Sequence, residues 1–190
     1  MPRYVDHEQR RRDITAAAMR ILAERGLGAL TLKSLAKALG GSITLVTHFY
    51  STRAELLQAI TGRVLEEYDV ELAGLEEGAD DSTRLRILLE WMLPLDEEAW
   101  ISECGRIALL GQREDDPSID PFFDTMDARM REYLREHLAP LVEADQLGEM
   151  VDMLRVTLNG IVLCAVEHRD EWPAERQLAV LRRLLTAFSL

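Results

Sequence analysis

The chain has 190 residues, 47% of them hydrophobic and 29% charged. That composition excludes a disordered or collagen-like polymer and lets the chain bury a real core, as one compact domain or a small domain joined to a larger one. The formal net charge of -12 argues by itself against nucleic acid, but residues 1–57 hold nine Lys or Arg against five Asp or Glu, while the remainder holds thirteen against twenty-nine: a basic N-terminal unit stands on an acidic body.

Helical periodicity runs through the chain, with no alternating strand pattern, βαβ unit, internal repeat or low-complexity linker. A first helix is predicted after Asp6, with Gln9 completing a capping box. Ile14, Ala17, Ala18, Ile21 and Leu22 make its buried stripe, and Gly26 ends it. Thr31 caps a second helix through Leu39 that buries Leu32, Leu35, Ala36 and Leu39, and Gly40-Gly41 breaks it. Ser42 caps a third, very short helix ending near Phe49. Thr52 and Glu55 repeat the capping-box pattern before a long helix carrying Leu56, Leu57, Ile60, Val64, Leu65 and Tyr68. That helix fades at the polar turn EEGADDS.

Helical segments around 83–92, 97–111, 119–138, 148–168 and 173–188 follow, punctuated by Pro94, REDDPSIDP, Pro140 and Pro173. Asp96 is a cap, while Asp120-Pro121 and Pro173 suit first turns. The expectation is an all-α protein of about nine helices.

Leu35, Ala36, Leu39, Gly40, Val46 and Phe49 describe two short helices that cross closely. Ala36 is small where the second helix approaches, and Gly40 can take a positive φ in the turn. This is the pattern of a helix-turn-helix, whose second helix can enter the major groove. Ser42, Ile43, Thr44, Thr47 and His48 are its outward residues. Hydroxyls can bond phosphate or base edges, Ile43 can touch a thymine methyl, and His48 can donate to phosphate or to a purine acceptor. Backbone N–H groups near Ser42 and Arg53 can receive phosphates, with Arg53 adding a cation. Thr31 and Lys33 join this DNA-binding set, as does Tyr50, which is expected to pack on the first helix with its hydroxyl near phosphate. Arg10, Arg11 and Arg12 can meet the backbone or the adjacent minor groove. The same spacing also suits an ordinary α-hairpin, with Thr47 facing solvent and His48 closing a local hydrogen bond.

From about Ile14 to Leu57 the chain resembles the TetR-type transcriptional regulators. The likeness rests on ITAAAMRILAERG and TLKSLAKALGGSITLVTHFYSTRAELLQAI. Leu35-Ala36 stands at the family's Ile-Ala pair, Gly40-Gly41-Ser42 at its Gly-Val-Ser turn, and Glu55-Leu56 at the acidic residue and Leu that follow the recognition helix. Thr47 stands where Tyr is usual, Tyr50 where Phe is, and Arg53 where Lys is. Gly41 therefore lacks an apolar plug, Thr47 lacks a phosphate-touching aromatic, and Arg53 keeps the charge with a different donor geometry.

The resemblance implies a helix-turn-helix DNA-binding domain over residues 1–52 and a larger helical effector-binding and dimerisation domain over 53–190. It implies a homodimer on a pseudo-palindromic operator, controlled by a small-molecule effector. Repression is the simpler mechanism, because occluding a promoter needs no further surface.

Within the body, Leu154, Leu158 and Ile161, with Leu178, Leu181, Leu185 and Phe188, form two stripes. They suit an intermolecular four-helix bundle or the closure of the protomer's own core. Trp91, Met92, Trp100 and Cys104 are candidates to line an effector pocket, with Phe122, Phe123, Met126, Met130 and Tyr133. Asn159, Glu167 and His168 would supply its polar contacts. Such a lining suits a lipophilic or aromatic ligand, although an ordinary core uses the same residue types.

Other functions find less support. Cys104 and Cys164 read as reduced, buried thiols, and the four histidines lack ligand spacing, so neither metal nor cofactor is expected. Glu97-Glu98 and Asp115-Asp116 are adjacent and do not face each other on a helix. No GxSxG, HExxH or phosphate-cradling Gly loop is present. A hydrolase is thus the remoter alternative. A helical adaptor with a degenerate DNA-binding domain is nearer, because of Gly41 and Thr47. MPRYVDHEQRRR has no following apolar region and IVLCAV is too short to span a bilayer. The expectation is a cytoplasmic protein without a membrane partner.

Overall fold

The computed structural model describes residues 7–188 and Leu190. Among the described residues the regular structure is nine α-helices and two 3-10 turns. The helices are α1 (His7–Arg25), α2 (Leu32–Ala38), α3 (Ile43–Thr47), α4 (Arg53–Leu75), α5 (Asp81–Trp91), α6 (Glu97–Leu110), α7 (Asp120–Leu138), α8 (Leu147–Glu167) and α9 (Ala174–Phe188). The chain forms two compact units. The first is Met1–Glu66 with Gly105–Thr125, and the second is Glu67–Cys104 with Met126–Leu190.

Local chemistry sets the helix ends around the hairpin. Thr31 is extended, and its Oγ1 accepts from the Ser34 N–H at 3.0 Å while Ser34 Oγ accepts from the Thr31 N–H at 2.9 Å. This is a reciprocal capping box with Ser as the returning partner. Gly40, at φ 62°, then turns the chain. Its N–H donates to the Lys37 carbonyl and that of Gly41 to the Ala36 carbonyl, which closes α2 by a Schellman motif. Ser42 caps α3, accepting from the Leu45 N–H at 3.4 Å.

Gly26, at φ 71°, follows α1. The Asp6 end of the proposed first capping box lies outside the described residues; Gln9 donates to Asp13 at 3.0 Å. Before α4, Thr52 accepts from the Glu55 N–H at 3.1 Å, but the Glu55 carboxylate turns to the Ser51 N–H and hydroxyl, at 2.8 and 2.9 Å. Those bonds hold the Glu55 acid below its ordinary value. Asp96 caps α6, accepting from the Ala99 N–H at 2.8 Å.

The first unit's core joins Ile14, Ala17, Ala18 and Ile21 of α1 to Leu35 and Ala36, Val46, and Leu56, Leu57 and Ile60. The side chain of Leu22 lies outside the described set. Leu109, Ile119 and Phe123 complete the cluster from a distant part of the chain, with Phe122 packed against it. Each such buried Leu, Ile or Phe contributes about 1.5–3 kcal/mol.

In the second unit, Leu85, Leu88 and Leu89, Leu134 and Leu138, Leu154, Leu158 and Ile161, and Leu181 are buried. Gln177, 2% exposed, donates from Nε2 to the carbonyls of Pro94 and Trp172, at 3.2 and 3.0 Å. Among the described residues no helix is long and apolar enough to cross a membrane, and no group of three or more His, Cys, Asp or Glu gathers to hold a metal.

Candidate nucleic-acid interface

Val46 anchors α3 in the first core, which turns Ser42, Ile43, Thr44 and His48 to solvent. Ile43 is 46% exposed. Thr47 is half-buried, and its hydroxyl donates to the Thr44 carbonyl at 3.3 Å. His48 meets the Phe49 ring edge-on at 5.2 Å. Thr31 and Lys33 are both exposed, the Thr31 hydroxyl being engaged in its cap.

Tyr50 is buried, its hydroxyl 3.5 Å from Thr15 Oγ1 and its ring 5.5 Å from the Arg11 guanidinium. Its ring packs on α1. Of the other α1 arginines, Arg10 lies 3.8 Å from Asp13 and Arg12 is exposed.

Arg53 is engaged inside the protein. Its guanidinium donates to the Asp116 carboxylate, 63 positions away, while its Nε is buried without a partner among the described residues. Asp116 also accepts from Ser118, capping the turn Pro117–Ile119. The Ser118 hydroxyl, more than the Arg53 charge, holds the Asp116 acid below its ordinary value. No periodicity or local motif announced this ion pair.

The effector candidates are divided between the two units. Phe122 and Phe123 pack with the first unit's core, their rings 5.2 Å apart. Helical spacing marked a buried face but not which core it enters. Glu167 and His168 are exposed at the end of α8. The Trp100 indole donates to the Ala165 carbonyl at 3.0 Å, and the Arg169 guanidinium lies 4.2 Å from its ring centre. Asn159 accepts from Arg155 at 3.2 Å. Met92, Cys104 and Met126 are half-buried and Met130 is buried; burial pushes the Cys104 thiol up.

Two aromatic candidates do meet. Trp91 stands edge-to-face with Tyr133 at 6.3 Å and with Tyr68, which the sequence placed only as a packing residue, at 4.8 Å. Tyr133 also lines a groove of about 360 Å³ with Asp69, Glu76, Arg84, Arg129 and His137. Asp69 accepts from the Tyr133 hydroxyl and from Arg129, each at 2.6 Å. Burial and that carboxylate push the Tyr133 phenol up to about 12. The same two donors hold Asp69 below its ordinary 3.8. His137 sits between the Tyr133 carbonyl at 2.7 Å and Glu76 at 2.6 Å, and Arg84 meets Glu76 at 3.0 Å. These charges satisfy one another within the groove.

The dimer seam expected from periodicity needs a correction of face. Leu154, Leu158, Ile161, Leu181 and Leu185 are buried inside the protomer, where they close its own core. Leu178 and Phe188 are half-buried. The unpartnered apolar line on α8 is Met153, Val156 and Leu163, which are 38, 69 and 44% exposed, with Gly160 between them. Their steps of three and four residues keep them on one side of the helix.

Comparisons with known proteins agree with this arrangement. Residues 14–60 match the model of bacterial regulatory proteins of the tetR family. Residues 81–189 match that of the C-terminal part of BetI-type transcriptional repressors. The HTH-type transcriptional regulator PksA of Bacillus subtilis (strain 168) is 34% identical over 100 residues, which are 52% of this chain and 48% of that protein. The chain thus spans about half the length of that relative in the match. BetI of Rhizobium meliloti (strain 1021) is 21% identical over 164 residues, 86% of this chain and 81% of its own. Among solved structures, a transcriptional regulator from Saccharomonospora viridis superposes with a TM-score of 0.72 at 19% identity, covering 94% of this chain and 96% of its own. A TetR transcription regulator from Haloarcula marismortui gives 0.69 at 22% identity, covering 95% and 96%. These last two likenesses carry the fold alone, whereas the two family models together take in both the hairpin and most of the body. The chain belongs to the TetR family of bacterial regulatory proteins.

Proposed function

We propose that the chain is a homodimeric, ligand-responsive repressor that binds a pseudo-palindromic operator through α3 and leaves it when a small lipophilic or aromatic effector binds. The observation that carries this reading is α3 itself. It is a capped helix pinned by Val46, with Ser42, Ile43, Thr44 and His48 on its open face. That face offers hydroxyls, an imidazole and a branched methyl surface, the chemistry that reads base edges. Residues 1–52 serve as the DNA-reading portion and 53–190 as the sensing and dimerising portion. The protein works by binding, in the cytoplasm, and not as an enzyme.

Two copies are joined through Met153, Val156 and Leu163; a DNA-competent dimer needs its recognition helices about 34–36 Å apart, or a multiple of one duplex turn. An effector that favours another spacing weakens DNA binding by its differential affinity for the two states. The relative from S. viridis is described in complex with choline, and the multidrug binding protein EbrR with imidazole. In this chain, burial and then the Glu103, Glu71 and Glu67 charges push the phenol of Tyr68, beside Trp91, upward. Aromatic rings in a negative field favour an effector whose lipophilic body carries a positive nitrogen.

The test is selection of genomic DNA fragments by the purified full-length protein at stated salt, with Thr44→Ala and His48→Ala proteins alongside. The expected result is one short palindrome, enriched by the wild type and weakened in both variants. Absence of any enriched sequence across a salt series, with and without cell metabolites, would refute the regulator reading.

A further inference from the structure

His137 of α7 has a side chain that is 5% exposed, and it stands against Glu76, whose side chain is 8% exposed. We infer that a single proton, carried on the imidazole, is held between the two, and that it works a pH-sensitive clasp fastening the end of α4 to α7.

The first ground is the count of hydrogens. Nδ1 of His137 lies 2.7 Å from the Tyr133 carbonyl. A carbonyl oxygen only accepts, so Nδ1 carries a hydrogen. Nε2 lies 2.6 Å from Glu76 Oε1. A lone pair and an ionised oxygen repel at that distance, so a second hydrogen lies between them. It belongs either to an imidazolium or to a carboxylic acid. The other Glu76 oxygen decides between these. It accepts from Arg84 Nε at 3.0 Å, and a guanidinium bonds more strongly to a carboxylate than to its acid form.

The charged and titratable groups around the ring are Asp69 and Glu76 from the α4 side, Arg84 of α5, and Arg129, Tyr133 and Glu136 of α7. Arg129 and the Tyr133 hydroxyl both donate to Asp69, at 2.6 Å each, and Glu136 lies 3.8 Å from Arg129. Those donors are engaged with other acids, so the hydrogen facing Glu76 Oε1 comes from the imidazole.

The second ground is anchorage. Among residues 66–75, the last part of α4, only Leu72 is buried. Glu76 follows directly, its N–H donating to the Leu72 carbonyl at 3.0 Å, and Gly78 then turns the chain at φ 77°. A helix end with one apolar anchor depends on its polar ties. Asp69 and Glu76 are two helical turns apart, so both ties fall on one side of the helix. The Asp69–Arg129 tie is half-exposed, whereas the His137–Glu76 tie is buried, where a polar contact is strongest and its loss most damaging. When the proton leaves, Nε2 turns a lone pair on a carboxylate in a site that water hardly enters. Separation of the two elements relieves that repulsion. The clasp is therefore closed at lower pH and loosens as pH rises.

The experiment uses the full-length protein. Nitrogen-15 NMR counts the hydrogens on the His137 ring, and amide hydrogen exchange, followed by mass spectrometry and corrected for intrinsic rate, reports on residues 69–79. Both are compared at about pH 6 and about pH 9, on either side of ordinary imidazole titration. The expected result is a hydrogen on each ring nitrogen at the lower pH. At the higher pH the Nε2 hydrogen is lost and exchange in 69–79 becomes about tenfold faster, while α8 keeps its rate. Glu76→Gln separates a proton clasp from a plain charge pair. Its amide N–H can donate to a neutral Nε2 while its oxygen accepts from Arg84, so exchange in 69–79 should stay slow at both pH values. Thermal unfolding confirms that this variant is folded. A ring with one hydrogen at the lower pH would overturn the clasp. Exchange in 69–79 that does not respond to pH in the wild type would overturn it too. So would a folded Glu76→Gln protein that loosens at high pH as the wild type does.

Discussion

The two units differ in how far their cations are paired. In the second, Arg129 meets Asp69, Arg131 meets Asp127 and Asp152, Arg155 meets Asp127, and Arg169 meets Glu97. In the first, Arg25, Lys33 and Lys37 are left without an acid among the described residues, and Arg53 holds an Asp that a phosphate could replace. An acidic protein that binds DNA has to keep its excess carboxylates away from a small set of cations. Here the first unit holds both kinds: Arg113 is neutralised by Asp120 and Asp124, while Arg25, Lys33 and Lys37 form no ion pair among the described residues.

The first core gives the strongest test. Phe123→Ala should cost about 3–5 kcal/mol, read as a lower denaturation midpoint. Unchanged stability with altered effector affinity would return Phe123 to a ligand pocket. Next in size is Val156→Asp on the exposed line of α8, which should give monomers in sedimentation and reduce operator affinity about 100-fold through lost bivalency. Leu154→Ala, on the inward face, should destabilise the protomer by about 2–5 kcal/mol instead.

A smaller effect tests Arg53, a cation of the first unit that is tied to an acid. Asp116→Asn should release Arg53, raise DNA affinity a few-fold and steepen the salt slope by about one, while Arg53→Ala lowers both. A slope unchanged in either variant would show that Arg53 serves structure alone. The smallest concerns acid. Asp69 and Asp127 are held below their ordinary 3.8 in the folded protein, so their contribution to stability is complete above that value. It fades as pH falls through the folded values, because the unfolded chain then binds more protons. Asp69→Asn should make melting temperature less sensitive to pH between about 5 and 2. Solvent screening of this half-exposed pair keeps the difference to a small shift.

Local grammar made much of this fold legible. The caps Thr31, Ser42 and Asp96 and the stop at Gly26 are decided by neighbours a few residues away, and each was visible in the string. The buried faces of α1 to α4 were visible too, because a period of 3.6 needs no partner to be recognised. What stayed hidden depends on tertiary neighbours. Spacing put Leu154 and Leu158 on a buried face but could not separate a protomer's core from a subunit seam, and the exposed line at Val156 emerged only with burial. Phe122 and Phe123 carried a buried residue type, but only the tertiary structure showed which core they pack with. Arg53 stood at the expected position with its charge already engaged by Asp116. Arg25 and Lys37 were counted in the basic half, yet nothing local distinguished an unpaired cation from a paired one.

One feature of the first core bears on how such proteins diversify. The family match to the DNA-reading end stops at residue 60, but Leu109, Ile119 and Phe123 complete the hydrophobic cluster beneath it. A crossover between two genes that exchanged only that leading stretch would set the incoming head on another protein's side chains at these three places. Viable hybrids would carry residues 105–125 with the head, or arise between parents already matched there. The unit of inheritance for operator choice is therefore discontinuous along the gene, and new regulators of this kind are made more readily by changing the open face of α3 than by trading heads.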